Sequence, residues 1–107
     1  MHILFADARL QHTVQSRVTA VDAFGSKDGA LVRQRLSELV AADSLAIAAT
    51  VPTLEVSRFN SADGEFTVRV SAGLRLRFQA ADGKSNTENL DLSQITAIRI
   101  LAIEEAQ

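Results

Sequence analysis

The first fifty residues place their apolar side chains with the spacing of α-helices. A short apolar segment, Ile3 to Phe5, predicts a strand, and the helical spacing begins after Asp7. Asp7 is suited to N-cap a helix, and Gly25 is suited to end it, because glycine enters the left-handed conformation without steric cost. The apolar stripe consists of Leu10, Val14, Val18 and Val21. The pattern predicts one continuous amphipathic helix between Asp7 and Gly25.

A second amphipathic helix is predicted from about residue 28 to residue 42. Its apolar stripe consists of Val32, Leu36, Leu39 and Val40. The two helices, joined at residues 24–26, are predicted to form a helical hairpin. The segment from Ser44 to Val51 predicts a third, short helix that ends at Pro52.

After Pro52 the apolar period changes from 3.6 residues to 2, which is typical of strands with one buried face and one solvated face. Alternation of this kind runs through residues 54–57, 66–71 and 74–79, and residues 81–91 form a polar excursion. Residues 95–103 are apolar at both parities and predict a central strand; a helix from Ser93 is the competing interpretation, and the isoleucine content favours the strand. The element order predicts an α+β fold, in which an N-terminal helical hairpin packs on one face of a small antiparallel β-sheet.

One predicted hairpin of this sheet is rich in arginine. If the apolar residues share one face, Val70 opposes Leu76, and Arg69 then opposes Arg77. This parity requires a connecting loop with an odd number of residues, 72–74. The arginines brought to one polar face are Arg69, Arg75 and Arg77.

Composition narrows the classes of function. The length of 107 residues fits a single domain, 1–107, and 47% apolar residues with 22% charged residues is ordinary for a globular protein. The formal net charge of -2 disfavours indiscriminate binding to nucleic acid or membrane surfaces. The absence of cysteine excludes a disulfide scaffold, a thiolate zinc site and a cysteine nucleophile.

The remaining chemistry points to no metal and no cofactor. His2 and His12 have no metal-ligand spacing and are expected at the surface. No apolar run approaches the length of a membrane span, and the first residues lack the pattern of a signal peptide. We therefore expect a cytoplasmic protein with no membrane partner.

Seven short segments, in order along the chain, carry a resemblance to a known family. They are 24–25, 31–39, 41–45, 54–56, 64–68, 74–78 and 92–101. Between residues 24 and 105 the chain resembles the RelE/ParE superfamily of type II toxins, and in particular its HigB-like "plasmid maintenance killer" branch. The resemblance implies two N-terminal helices on a small antiparallel sheet, and a helix-turn-helix antitoxin encoded beside the toxin. HigB-like and RelE-like toxins cut ribosome-bound mRNA, whereas ParE-like toxins poison DNA gyrase.

The resemblance also implies which residues act. Arg75 falls on the strand arginine of the family and is the candidate catalytic residue, because a guanidinium presents a bidentate donor fork to phosphate. The candidates for binding RNA phosphates are Arg69, Arg77 and Arg58. In the RNA-cutting branch the 2′-hydroxyl attacks the adjacent phosphate, a reaction that needs basic groups and an acid/base pair.

The chain departs from the family at residues 104–107. Where relatives have an acidic-Tyr-His tail, this sequence reads Glu104-Glu105-Ala106-Gln107, and neither alanine nor glutamine exchanges a proton near neutral pH. The two glutamates either replace the lost chemistry or form a solvated chain end, which we favour.

Three interpretations of function stay open. The first is a toxin that is an mRNA endoribonuclease with weakened or lost activity. The second is a non-catalytic, antitoxin-binding or regulatory module with the toxin fold, and the third is a gyrase-directed toxin. The arginines themselves fit either an RNA-phosphate face or a solvated face, on which they pair with carboxylates such as Glu55 or Glu65.

Overall fold

The computed structural model describes residues 1–60, 64–81 and 92–106. In chain order its elements are β1 (His2–Phe5), α1 (Ala8–Gln15), α2 (Arg17–Phe24), α3 (Ser26–Ala41), α4 (Leu45–Ala48), β2 (Ser57–Asn60), β3 (Glu65–Ser71), β4 (Leu74–Ala80), a 3-10 turn (Leu92–Gln94) and β5 (Ala97–Glu105). The prediction of an α+β fold is confirmed. The predicted polar excursion lies, from residue 82 onward, outside the described residues. Within those ranges, none of the helices has the length and hydropathy needed to cross a membrane.

The five strands form one mixed sheet in the order β1-β5-β4-β3-β2. β1 pairs with β5 in parallel, and the other neighbouring strands are antiparallel. The prediction of a purely antiparallel sheet is therefore wrong, because the first and last strands of the chain become neighbours. A parallel pair needs a long crossover connection, and all the helices and the other strands lie between these two. The prediction of an interior strand within residues 95–103 is confirmed by β5, which begins two residues later, at Ala97, and ends at Glu105.

The first predicted helix is divided in two at Ser16. Asp7 N-caps α1 by accepting a hydrogen bond from the backbone of Arg9, and Gly25 (φ 90°) ends α2, both as predicted. Ser16 is extended, and its hydroxyl accepts from the backbone N–H of Thr19, so that it caps α2 instead of continuing α1. The prediction of one continuous helix is wrong because this cap competes with the helical hydrogen bonds of the backbone.

The predicted two-helix hairpin is replaced by three helices that follow a strand. α2 and α3 pack closely, since a Cβ added to Gly29 would lie 2.8 Å from the carbonyl oxygen of Ala20. The predicted short helix is present as α4, with Ser44 as its N-cap, but it ends at Ala48, before the predicted stop at Pro52.

The first strand after Pro52 begins three residues later than the alternation predicts. Leu54 is fully buried outside any strand, and its carbonyl oxygen accepts from the backbone of Arg69 at 2.9 Å. Glu55 adopts a positive φ of 44°, which interrupts the extended backbone before β2 begins at Ser57.

The β3–β4 hairpin keeps the predicted faces but not the predicted register. Arg69 opposes Arg75 and Val68 opposes Leu76, two residues away from the expected pairing. The turn has two residues, and a register shift between Arg69 and Ser71 accommodates the extra residue. A β-bulge therefore keeps the apolar residues of both strands on one face, which a loop with an odd number of residues was expected to do.

The core lies between the helices and one face of the sheet. It joins side chains from α1, α3 and α4 to the inward residues of β3, β4 and β5: Val14, Val32, Leu39, Leu45, Val68, Leu76, Phe78, Ile98 and Ile100. The rings of Phe66 and Phe78 stack across the β3–β4 pair at 5.7 Å. With this face covered, the opposite face of β3 and β4 is left for polar side chains.

Candidate functional site

The polar face of the sheet brings together the arginines of β3 and β4. Arg69 is directly opposite Arg75, Thr67 is opposite Arg77, and Arg75 is in turn opposite Glu104 of β5. These positions alternate with the buried residues of the same strands. Arg75 thus lies on the face away from the hydrophobic core.

Glu104 bridges two of these arginines. One carboxylate oxygen, Oε2, accepts from Nη2 and Nε of Arg75 at 2.6 and 3.1 Å. The other, Oε1, accepts from Nε of Arg77 at 3.2 Å. Glu104 is therefore part of a strand and of an ion-pair network, and our expectation of a solvated chain end is wrong for this residue.

Two further ion pairs of this face are ones that the sequence suggested. Arg77 donates to Glu65 at 2.7 Å, and Arg69 lies 3.5 Å from Glu55. The Arg69–Glu55 pair is more than half exposed on both sides, so solvent screens it strongly. These contacts support the interpretation in which the arginines of this face pair with glutamates.

These contacts set the protonation of Glu104. The hydrogen bond from Arg75 lowers the pKa of this carboxyl, with further lowering by the charge of Arg77, against an opposing effect of desolvation. The hydrogen bond to Glu65 likewise raises the pKa of the Arg77 guanidinium. Glu104 is consequently ionised at neutral pH, where it accepts hydrogen bonds and has no proton to donate.

A cleft of about 290 Å³ lies beside Arg75. It is lined by Glu55, Ser57, Thr67, Arg69, Ser71, Ala72, Leu74, Arg75 and Ala106. Ala106 is held there by a hydrogen bond from its backbone N–H to the carbonyl oxygen of Gly73 at 3.1 Å. None of these lining residues carries an imidazole, a phenol or an amine, so the described part of the cleft offers binding groups but no general acid for neutral pH.

Arg58 does not join the other arginines. It pairs in register with Phe66, and its guanidinium carbon lies 5.9 Å from the centre of that ring. Phe66 faces the core side of the sheet, so Arg58 lies on the opposite face from Arg75. The structure therefore separates one predicted RNA-binding residue from the rest.

The histidines and possible metal ligands form no site in the described ranges. His2 and His12 are both exposed, as expected. No group of three or more metal-binding side chains comes together in the part of the chain that the structure describes.

Arg99 is a residue of this face that the sequence pattern did not reveal. It pairs with Gln79, which pairs with Glu65, so it lies on the same face as Arg77. Among the described residues it forms no ion pair. The sequence of β5 does not alternate regularly between apolar and polar residues, so it did not assign Arg99 to a face. The reason is a register shift in the β4–β5 pair, which brings both Ile100 and Ile103 opposite buried residues of β4.

The comparisons with known proteins identify no relative of this chain. No family model, no curated protein and no solved structure matches it.

Proposed function

We propose that this chain is the toxin component of a type II toxin–antitoxin system. It would belong to the HigB-like branch of the RelE/ParE superfamily, act on ribosome-bound mRNA and pair with a helix-turn-helix antitoxin encoded beside it. The observation that carries the proposal is the position of Arg75. It lies on the polar face of a sheet whose other face is covered by helices, next to a cleft and in line with further arginines.

The residues of this face fit binding to phosphate better than cleavage. Arg69 and Arg75 are among the residues that line the cleft, and guanidinium groups suit the oxygens of a phosphodiester. Glu104 is ionised and available only as a weak base, and Ala106 supplies no proton. General acid–base catalysis contributes typically 10²–10⁴-fold to a rate, so we expect activity reduced by about that factor relative to a complete site.

A second candidate is a non-catalytic antitoxin-binding module with the toxin fold. The observation that favours it is the pairing of Arg69, Arg75 and Arg77 with glutamates. Affinity for RNA depends on the neutralisation of phosphates by cationic groups. In this protein, glutamate carboxylates already neutralise the charge of these three arginines.

Controlled expression in a bacterial host distinguishes the two. A toxin slows growth and depletes mRNA, and the protein encoded by the neighbouring reading frame rescues both. Arg75→Ala should relieve the arrest, whereas Arg17→Ala, the same change of charge at an exposed position of α2, should leave it intact.

Three outcomes would redirect the proposal. Normal growth combined with tight binding of the neighbouring protein supports the binding module. Growth arrest with altered DNA supercoiling and intact mRNA supports a gyrase-directed toxin. Arrest that persists unchanged in Arg75→Ala, with the variant folded, rejects the role given to this residue.

A further inference from the structure

We propose that Arg75 and Arg77 form an anion-binding site that Glu104 of the same chain occupies, so that its carboxylate takes the place of an RNA phosphate. The choice of RNA as the competing anion rests on the proposed function. The arrangement itself rests on the contacts of these three residues.

The geometry of the contacts is that of a bound oxyanion. Two oxygens of one group are divided between two guanidiniums, with Oε2 on Arg75 and Oε1 on Arg77. The two non-bridging oxygens of a phosphodiester present the same pair of charged acceptors. Charge-assisted hydrogen bonds of this kind are strong, and arginine is suited to carboxylate and phosphate alike.

The site is open to a competing ligand. The side chains of Arg75, Arg77 and Glu104 are 25%, 28% and 30% exposed. The carboxylate of Glu104 therefore contacts solvent, and a ligand can displace it without disturbing the hydrophobic core. Ion pairs near the surface contribute little to stability, so displacement of Glu104 should lower the stability of the fold only slightly.

The surrounding charge favours a polyanion once Glu104 is neutralised. Arg69 and Arg99 lie on the same face, and Arg99 forms no ion pair among the described residues. Among the described ion pairs of this face, loss of the carboxylate of Glu104 would leave those of Arg69 with Glu55 and of Arg77 with Glu65. Glu104 therefore determines how much positive charge this face presents.

The test is the binding of a short, labelled single-stranded RNA, followed by fluorescence anisotropy over a range of salt concentrations. Glu104→Gln should bind about tenfold more tightly at low salt, the gain expected from one charged hydrogen bond. Its dependence of log K on log salt should be steeper by roughly 0.7 to 1.4, which corresponds to one or two additional phosphate contacts.

The matched control is Glu105→Gln, because it makes the same change in net charge at the next residue of β5. Glu105 forms no ion pair among the described residues, and the affinity of this variant should stay within about twofold of wild type. Glu104→Asp keeps the charge but shortens the side chain by one methylene, so it should bridge the two arginines poorly and give an intermediate gain.

Equal affinities for Glu104→Gln and Glu105→Gln would overturn the inference, because net charge alone would then account for the change. If Glu104→Gln fails to fold, as judged by circular dichroism, unchanged affinity in Glu104→Asp would overturn it as well. The result is separate from the growth assay. Growth arrest without the gain in affinity rejects the occupied site and leaves the toxin, and the gain without growth arrest rejects the toxin and leaves the site.

Discussion

Glu104 is the residue on which the chemistry of the polar face depends. It accepts hydrogen bonds from both Arg75 and Arg77, and those bonds keep it ionised. The sequence shows Glu104 near the end of an apolar segment, but only the pairing of β5 with β4 brings it opposite Arg75. Its partners follow from the sheet, not from its neighbours in the chain.

The ionisation of Glu104 predicts a dependence of stability on pH. Its pKa is lower in the folded protein than in the unfolded chain, chiefly because of the hydrogen bond from Arg75. Between the folded and the unfolded pKa, the folded state therefore binds fewer protons than the unfolded state. Above the unfolded pKa, the ionised carboxylate stabilises the fold in full. This contribution is lost as the pH falls through the folded pKa.

Urea unfolding of wild type and Glu104→Gln from pH 7 to pH 3 measures the contribution of the ionised Glu104 carboxylate to stability. We expect wild type to be the more stable at neutral pH, and the difference to shrink as the pH falls below the unfolded pKa. Glu105→Gln corrects for the loss of one negative charge. A difference between wild type and Glu104→Gln that is the same at both ends of the range would contradict the assignment.

At the scale of elements, the break at Ser16 decides which apolar residues reach the core. The stripe of a continuous helix would bury Val14 and Val18 together. In the structure Val14 is 7% exposed and Val18 is 70% exposed, because α2 starts with a new phase after its cap. The signal for the break was present, since Ser16 is a good N-cap, but the apolar spacing outweighed it in the prediction.

This break makes a prediction that a continuous helix does not make. Val14→Ala should reduce the free energy of unfolding by about 1–3 kcal/mol, because it removes two buried methyl groups. Val18→Ala should change it by no more than about 0.5 kcal/mol, as expected for an exposed position. Thermal or urea unfolding of the two variants checks the pair, and equal losses would indicate that α1 and α2 form one helix in solution.

At the scale of the whole molecule, β5 holds the sheet together. It lies between β1 and β4, pairs with both, and carries the fully buried Ile98 and Ile100. Its partners are the first strand of the chain and β4, so β5 joins residues 2–5 to residues 74–80 in one sheet.

The buried position of Ile100 in β5 predicts a large loss of stability when its side chain is shortened. Ile100→Ala should cost about 2–5 kcal/mol, a large share of the roughly 5–15 kcal/mol that stabilises a domain. Ile100→Val, which removes one methylene, should cost about 0.5–1.5 kcal/mol. Denaturant unfolding measures both, and an alanine variant as stable as the valine variant would place Ile100 outside the core.

The sequence by itself determined the class of fold and the faces of its strands. Alternation in β3 and β4 assigned Phe66, Val68, Leu76 and Phe78 to the core and the arginines to the other side, because the side-chain period of a strand is a local property. The caps at Asp7 and Gly25 were likewise predictable from the residues themselves.

Tertiary structure alone decided the parallel pairing of β1 with β5, the register of the hairpin and the bridging of Arg75 and Arg77 by Glu104. These depend on a β-bulge and on contacts between residues far apart in sequence. A bulge shifts the register without changing which face a residue occupies, so alternation cannot reveal it. For that reason the arginine face could be predicted, whereas the carboxylate that bridges Arg75 and Arg77 could be found only from the folded sheet.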